Sequence, residues 1–102
     1  MNNSSPILYL VVPCYNEEQV LKMTYDALSE QYSLWCTQGI IDLKSKILMV
    51  NDGSKDATWD IICKLADKDN RVCGVNLSRN RGHQVAVLAG LMKAKEYADV
   101  II

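Results

Sequence analysis

The sequence predicts a parallel, doubly wound α/β sheet with the element order β-α-β-α-β-α-β. Three observations lead there. Short apolar runs, Ile7 to Val12, Ile47 to Val50 and Val72 to Leu77, have the length and aliphatic content of strands buried on both faces. Helical spacing of apolar residues occupies the stretches between them. Each run gives way to a polar loop that feeds a helix start. Strands alternating with helices build crossover units, and such units assemble into a parallel sheet.

The elements follow in order. Residues 1–6 read as a disordered lead-in, polar from Met1 to Ser5 and ended by Pro6. Ile7 to Val12 is the first strand, stopped by Pro13. Asn16 is a good N-cap for the first helix, with Glu17 and Glu18 in its first turn and Gln19 at the capping-box position. Val20, Leu21, Tyr25, Leu28 and Tyr32 continue at helical spacing, the pattern fades near Trp35, and Gly39 lies in a loop. The second strand, Ile47 to Val50, ends in Asn51-Asp52-Gly53. Ser54 can cap the next helix, with Asp56 in its first turn and Ile62, Leu65 and Ala66 on its inner face. Val72 to Leu77 is the third strand, Ser78 to Gly82 a polar loop, and His83 to about Tyr97 the third helix. A fourth strand opens at Val100 to Ile102. An apolar strand at that point reads as the interior of a longer domain, so we expect residues 7–102 to be part of one.

Composition narrows the function classes. The chain has 102 residues, 49% hydrophobic and 23% charged, with a formal net charge of −1. That describes an ordinary globular domain, and it offers no basic excess for nucleic acid. Cys14, Cys36, Cys63 and Cys73 form no C-x-x-C, so a zinc or thioredoxin-like site is unsupported. Cys63 and Cys73 adjoin apolar runs and are expected to be reduced, buried thiols. The first residues lack the charged and apolar regions of a signal peptide, and no apolar stretch reaches about 18 residues. A cytoplasmic location, or the cytosolic face of a membrane, is therefore expected.

In open α/β sheets ligands bind at the carboxyl ends of the strands. Those ends deliver Pro13-Cys14-Tyr15-Asn16-Glu17, Asn51-Asp52-Gly53-Ser54 and Ser78-Arg79-Asn80-Arg81-Gly82-His83. Together they could hold a base, a ribose and phosphates. Tyr15 offers a ring face for a base, or simply packs on the sheet edge. Asn16 and Glu17, taken alone, serve as cap and first-turn charge. Asp52, an acceptor when ionised, suits a donor edge such as the N3–H of uracil or the N1–H and N2–H of guanine. The plainer role for Asp52 is to shape an Asp-Gly turn. Arg79, Arg81 and the backbone N–H groups of a helix start near Gly82 suit a pyrophosphate, although taken alone they read as a solvated basic loop. A lone histidine at a helix start is more often structural, and His83 is not assigned to the site.

Other nucleotide folds lack their marks here. There is no G-x-G-x-x-G after the first strand, no P-loop sequence and no nucleophile elbow. A nucleotidyltransferase-like domain should carry a glycine- and lysine-rich first loop, and a receiver-like interaction module should gather acidic residues at its strand ends. Neither pattern is present, and both stay as alternatives.

Taken together the loops resemble the family 2 glycosyltransferases of the GT-A fold. Ile7 to Glu18, ILYLVVPCYNEE, is similar to the family's opening strand and P-x-Y-N-E loop. Met49 to Asp56, MVNDGSKD, resembles its V-D-D-G-S-x-D motif, with Asn51 where the family usually has Asp. Leu77 to Gly90, LSRNRGHQVAVLAG, is similar to the third motif and nearest to the polyprenyl-phosphate branch, which includes dolichyl-phosphate mannosyltransferases and undecaprenyl-phosphate glycosyltransferases. The resemblance implies that Pro13, Tyr15 and Glu17 line a nucleotide pocket and that Val50 and Asp52 hold the base. It implies a UDP- or GDP-sugar donor, a polyprenyl phosphate or glycan acceptor, and inverting transfer. A divalent metal, Mg2+ or Mn2+, is implied for the complete enzyme, bound by a D-x-D that follows the fourth strand, so neither metal ligands nor a catalytic residue are expected among these residues. A homo-oligomer is compatible with the sequence.

Overall fold

The computed structural model describes residues 5–79 and 82–102. Its elements are β1 (Leu8–Cys14), α1 (Leu21–Thr37), β2 (Lys46–Asp52), α2 (Thr58–Lys68), β3 (Val72–Leu77), α3 (His83–Ala94) and β4 (Val100–Ile101). The strands form one sheet in the order β3-β2-β1-β4, and every pair is parallel. The predicted fold class is the one found.

The order of the strands follows from where the helices lie. β1, β2 and β3 step in one direction, with α1 and α2 on one face. There Leu21, Tyr25 and Tyr32 of α1 and Ile62 and Leu65 of α2 pack on Leu8, Cys14, Ile47, Met49 and Val72. The chain then crosses back over the opposite face through α3, where Ala86 and Ala94 pack on Tyr9, Leu48 and Val50. β4 therefore lands on the far side of β1. The winding direction reverses between β1 and β4, the switch point at which open α/β sheets form a crevice. β2 is the most deeply buried strand. Ile47, Leu48, Met49 and Val50 are all 0% exposed, because helices cover both of its faces. Adjacent residues of a strand point to opposite faces, so this continuous apolar run feeds both cores.

α3 approaches the sheet most closely at Gly90. A methyl group there would overlap Val11 Cγ1 and lie 3.2 Å from Val50 Cγ2, so the glycine admits the helix to the sheet. On the other face a methyl at Gly74 would meet Ile62 Cγ2 at 2.8 Å and the Trp59 ring at 3.0 Å.

Several sequence expectations are corrected. β1 does not stop at Pro13 but runs on to Cys14. Tyr9 and Val11 turn their backbone groups to β4, accepting from Ile102 N–H and donating to Ile102 O respectively. Pro13 shares that parity, so its missing N–H faces the β4 side and no bond to β2 is lost. α1 continues past the fading pattern at Trp35 to Thr37, and α3 ends at Ala94 rather than Tyr97. Tyr97 instead folds back to stack on Tyr9, with ring centroids 6.3 Å apart. The lead-in stops short of Pro6: Ser5 Oγ donates to Gly39 O at 2.6 Å, and Pro6 O accepts from Asp42 N–H at 2.8 Å. Residues 1–4 of that lead-in lie outside the described residues. Cys63 is exposed and Cys73 only half-buried, because Cys63 falls on the outer side of α2 and Cys73 on an edge strand. Among the described residues, no helix is long and apolar enough to cross a membrane.

At the amino-terminal end of β3 a polar cluster locks α1 to the turn after α2. Arg71 Nη2 lies 2.8 Å from Asp69 Oδ2 and donates to Ser29 Oγ at 2.6 Å. Tyr25 Oη donates to Asp69 Oδ2 at 2.7 Å. Hydrogen bonds from Arg71 hold the Asp69 carboxyl well below the usual carboxylate range. A depressed folded-state pKa contributes stability that is present above the unfolded value of about 3.9 and is lost as pH falls below it. Asp69→Asn is expected to lower stability at pH 7 by about 2 kcal/mol, the scale of hydrogen bonds to a charged group. It should also flatten the decline in stability below about pH 4, where the parent loses the contribution of the ionised form. Urea denaturation of both proteins across that range measures the two effects.

Candidate functional site

The carboxyl ends of β1 and β2 are adjacent in register, with Pro13 opposite Val50 and Cys14 opposite Asn51. β2 in turn sets Asp52 opposite Leu77 of β3. The loops that leave these strands are fastened to one another. Asn16 N–H donates to Ser54 Oγ at 2.9 Å, Glu17 N–H to Thr58 Oγ1 at 2.8 Å, and Glu18 N–H to Asp56 Oδ2 at 3.2 Å. In the reverse direction Asn16 Oδ1 accepts from Lys55 N–H at 2.9 Å. Thr58 is 0% exposed, and its hydroxyl also donates to Asp56 Oδ1.

This fastening replaces the caps expected from the sequence. Asn16 does not cap α1. Its backbone adopts a left-handed conformation, φ 51°, which asparagine tolerates better than most residues, and its side chain reaches across to the β2 loop. Residues 18–20 form a turn closed by Val20 and Leu21 N–H groups on Glu17 O, so α1 starts at Leu21 with no acidic residue in its first turn. Glu17, Glu18 and Gln19 thus precede the helix. Ser54 does not cap α2 either, since its hydroxyl is taken by Asn16 and the helix starts at Thr58 with Asp60 as its first-turn acid. Asp56 precedes the helix and accepts from Thr58 N–H at 2.9 Å. Gly53, at φ 67°, makes the sharp turn that glycine permits at no steric cost.

The proposed base-binding residues fall on the α3 side of the sheet. Pro13, Val50 and Asp52 share the strand parity of Tyr9, Leu48 and Val50, whose side chains form that core. Val50 is 0% exposed, so its side chain is part of the core beneath α3 rather than of an open surface. Asp52 is 4% exposed and sits at the sheet's rim rather than in an open crevice. Tyr15, by contrast, is 41% exposed and presents its ring to solvent next to Asn16. Arg79 is exposed beyond the end of β3. Gly82 precedes α3 at φ 92°, a backbone that favours glycine, and its carbonyl accepts from Val85 and Ala86 N–H groups. Asn80, Arg81 and the His83 side chain lie outside the described residues.

Two hollows adjoin the fastened loops. One of about 280 Å³ is lined by Asn16, Glu17, Glu18, Gln19, Val20 and Asp56. A smaller one, about 70 Å³, is lined by Val12, Pro13, Cys14, Glu17, Leu21 and Thr24. Neither includes Asp52. Cys14 is buried against the second, and burial together with the Glu17 charge pushes its thiol up to about 12. It is therefore a neutral packing group at pH 7 and not a nucleophile. Among the described residues, no three His, Cys, Asp or Glu side chains converge on one point.

The loop that carries Tyr15, Asn16 and Glu17 is thus joined to the loop after β2, and Pro13, Val50 and Asp52 share one face of the same strand ends. Sequence reasoning missed Thr58 and Asn76, since their partners are far away in the chain and no local pattern marks them. Thr58→Val would leave the Glu17 N–H without its acceptor and is expected to destabilise the fold by about 1–3 kcal/mol, while Thr58→Ser should retain most of the bond. Chemical denaturation of the two variants distinguishes loss of the hydroxyl from loss of the methyl.

Comparison with known proteins agrees with the arrangement. Residues 9–102 match the Glycosyl transferase family 2 domain. The chain is 45% identical over 102 residues to the Uncharacterized glycosyltransferase YkoT of Bacillus subtilis (strain 168), a match that covers 100% of this chain and 30% of that protein. It is 39% identical over 93 residues to the Bactoprenol glucosyl transferase of Shigella phage SfV, covering 91% of this chain and 28% of the relative. A Prophage bactoprenol glucosyl transferase homolog of Escherichia coli (strain K12) is 40% identical over 96 residues, covering 91% and 28%. The chain therefore spans about 30% of the length of the curated relatives it matches. From Tyr9 through β4 the family's sequence pattern coincides with a parallel sheet whose polar loops gather at one end, and the chain belongs to glycosyl transferase family 2.

Proposed function

We propose that this chain forms the donor-nucleotide half of an inverting glycosyltransferase, which transfers a sugar from a UDP- or GDP-sugar to a polyprenyl phosphate at the cytosolic face of a membrane. The observation that carries the reading is the fastening of the first two strand-end loops, which joins the loop that carries the exposed Tyr15 to the loop that directly follows Asp52. Family membership supports the reaction class. The relatives named as bactoprenol glucosyl transferases, at 39% and 40% identity, support the acceptor.

The roles follow from chemistry. Tyr15 offers a face on which a base stacks. Asp52 accepts from a base N–H, an interaction open to uracil and to guanine alike. Pro13 offers an apolar surface beneath, Val50 supports that strand end from the core, and Asn16 and Glu17 hold the loop that carries Tyr15. Arg79 and the backbone at Gly82 favour the diphosphate, because a guanidinium and a helix start both attract anions. In the transfer a phosphate oxygen of the acceptor forms a bond to the anomeric carbon while the bond from that carbon to the nucleoside diphosphate breaks. The acceptor phosphate is already anionic, so it needs little help from a base. Divalent metal, as the family generally uses, would neutralise the leaving diphosphate.

The purified protein should bind UDP-glucose or GDP-mannose in calorimetry with Mn2+ present. Asp52→Ala is expected to weaken binding by about 10-fold or more, as the base N–H loses its acceptor. The 102-residue chain alone should bind donor without turning it over. Absence of binding to both sugars by a longer form of the protein would overturn the reading.

A further inference from the structure

β2 carries Asn51 next to Asp52, on the opposite face of the strand, and it is 3% exposed. Both ends of its carboxamide are engaged. Nδ2 donates to Asn76 Oδ1 at 2.7 Å, and Oδ1 accepts from Ser54 N–H at 3.3 Å. Asn76 stands directly opposite Asn51 on β3. Ser54 Oγ then accepts from Asn16 N–H at 2.9 Å, and Asn16 Oδ1 accepts from Lys55 N–H at 2.9 Å. The bonds run in series across the ends of three strands, from β3 through β2 to the loop after β1. At their far end stands Tyr15, and beside their midpoint stands Asp52.

We propose that Asn51 and Asn76 are a positioning pair that sets the geometry of the donor site. The pair anchors the turn at residues 51–54 to β3, and through Ser54 and Asn16 it fixes Tyr15 relative to Asp52. The proposal rests on the nucleotide-sugar reading above. Neither residue is assigned contact with the nucleotide, because both side chains lie on the face of the sheet away from Asp52.

The chemistry of the pair gives a directional test. An asparagine amide donates through one atom and accepts through another, so it can face either a second amide or a carboxylate. A carboxylate at one position is therefore accommodated, because the remaining asparagine can donate to it. Carboxylates at both positions are not, since neither donates and their charges repel.

The test is a rescue series in the purified protein at pH 8, titrated with UDP and with GDP, with amide hydrogen exchange measured on the same variants. Asn76→Ala is expected to weaken nucleotide binding by about 10-fold and to speed exchange at Ser54 and Asn16 by a similar factor. Asn76→Asp should restore both to within about 3-fold of the parent. Adding Asn51→Asp to Asn76→Asp should abolish the restoration, while the buried amides from Ile47 to Val50 stay protected. Unchanged binding and exchange in Asn76→Ala would overturn the pair, and so would full restoration in the double aspartate variant. If neither nucleotide binds the parent, the donor reading fails and exchange at Asn16 alone decides the bonding series: faster exchange in Asn76→Ala upholds it, unchanged exchange refutes it. If the double variant loses protection from Ile47 to Val50 as well, comparison of Asn76→Ala with Asn76→Asp decides.

Discussion

The hydrogen bonds between the loops after β1 and β2 are the constraint on which the rest of this end of the molecule depends. Loops at strand ends are short of partners, because the sheet ladder has stopped and the following helix has not begun. Here each loop supplies what the other lacks. The N–H groups of Asn16, Glu17 and Glu18 find side-chain oxygens on Ser54, Thr58 and Asp56, and the Asn16 carboxamide returns a bond to Lys55. Two loops some 40 residues apart in the chain thereby behave as one surface. A ligand that touches both then meets groups already in place, and less ordering entropy opposes binding.

The sheet makes that surface available. Burial of Ile47 to Val50 at 0% exposure fixes the register of β2 on both sides, since a slip of one residue would exchange its two faces. That register brings Cys14 level with Asn51, and Asn51 level with Asn76. The reversal at β1 sends α3 to the opposite face and lets it rest on the sheet at Gly90. The polar residues that follow these strands are consequently delivered to one end, on either side of a switch point. The opposite end carries its own polar lock at Asp69 and Arg71, which ties α1 to the turn after α2.

Most of the fold was legible in the sequence because it rests on local periodicity. The run from Val72 to Leu77 coincides with β3, and the apolar spacing of Leu21, Tyr25 and Tyr32 marks the buried face of α1. What could not be read depends on partners distant in the chain. Asn16 is a residue type suited to a helix cap, but its N–H donates to Ser54 and its side-chain oxygen accepts from Lys55 instead. Pro13 looks like a strand terminator until the side of the strand that its nitrogen faces is known. Cys63 adjoins an apolar run, yet it occupies the solvent side of α2. In the candidate site, sequence identified the residues at the strand ends but not their depth. Asp52 is at the predicted strand end and is buried there, while Tyr15 is open to solvent.

The central claim is that the fastened loops and the adjoining end of β2 receive the nucleotide. Mapping backbone amide chemical shifts of the labelled protein during titration with UDP or GDP tests it most directly. Shifts concentrated at Tyr15, at residues 52–54 and at residues 79–82 are the predicted result. Shifts concentrated instead at the opposite end of the sheet, around Lys44, Lys46 and Tyr97, with the strand-end loops unmoved, would contradict it.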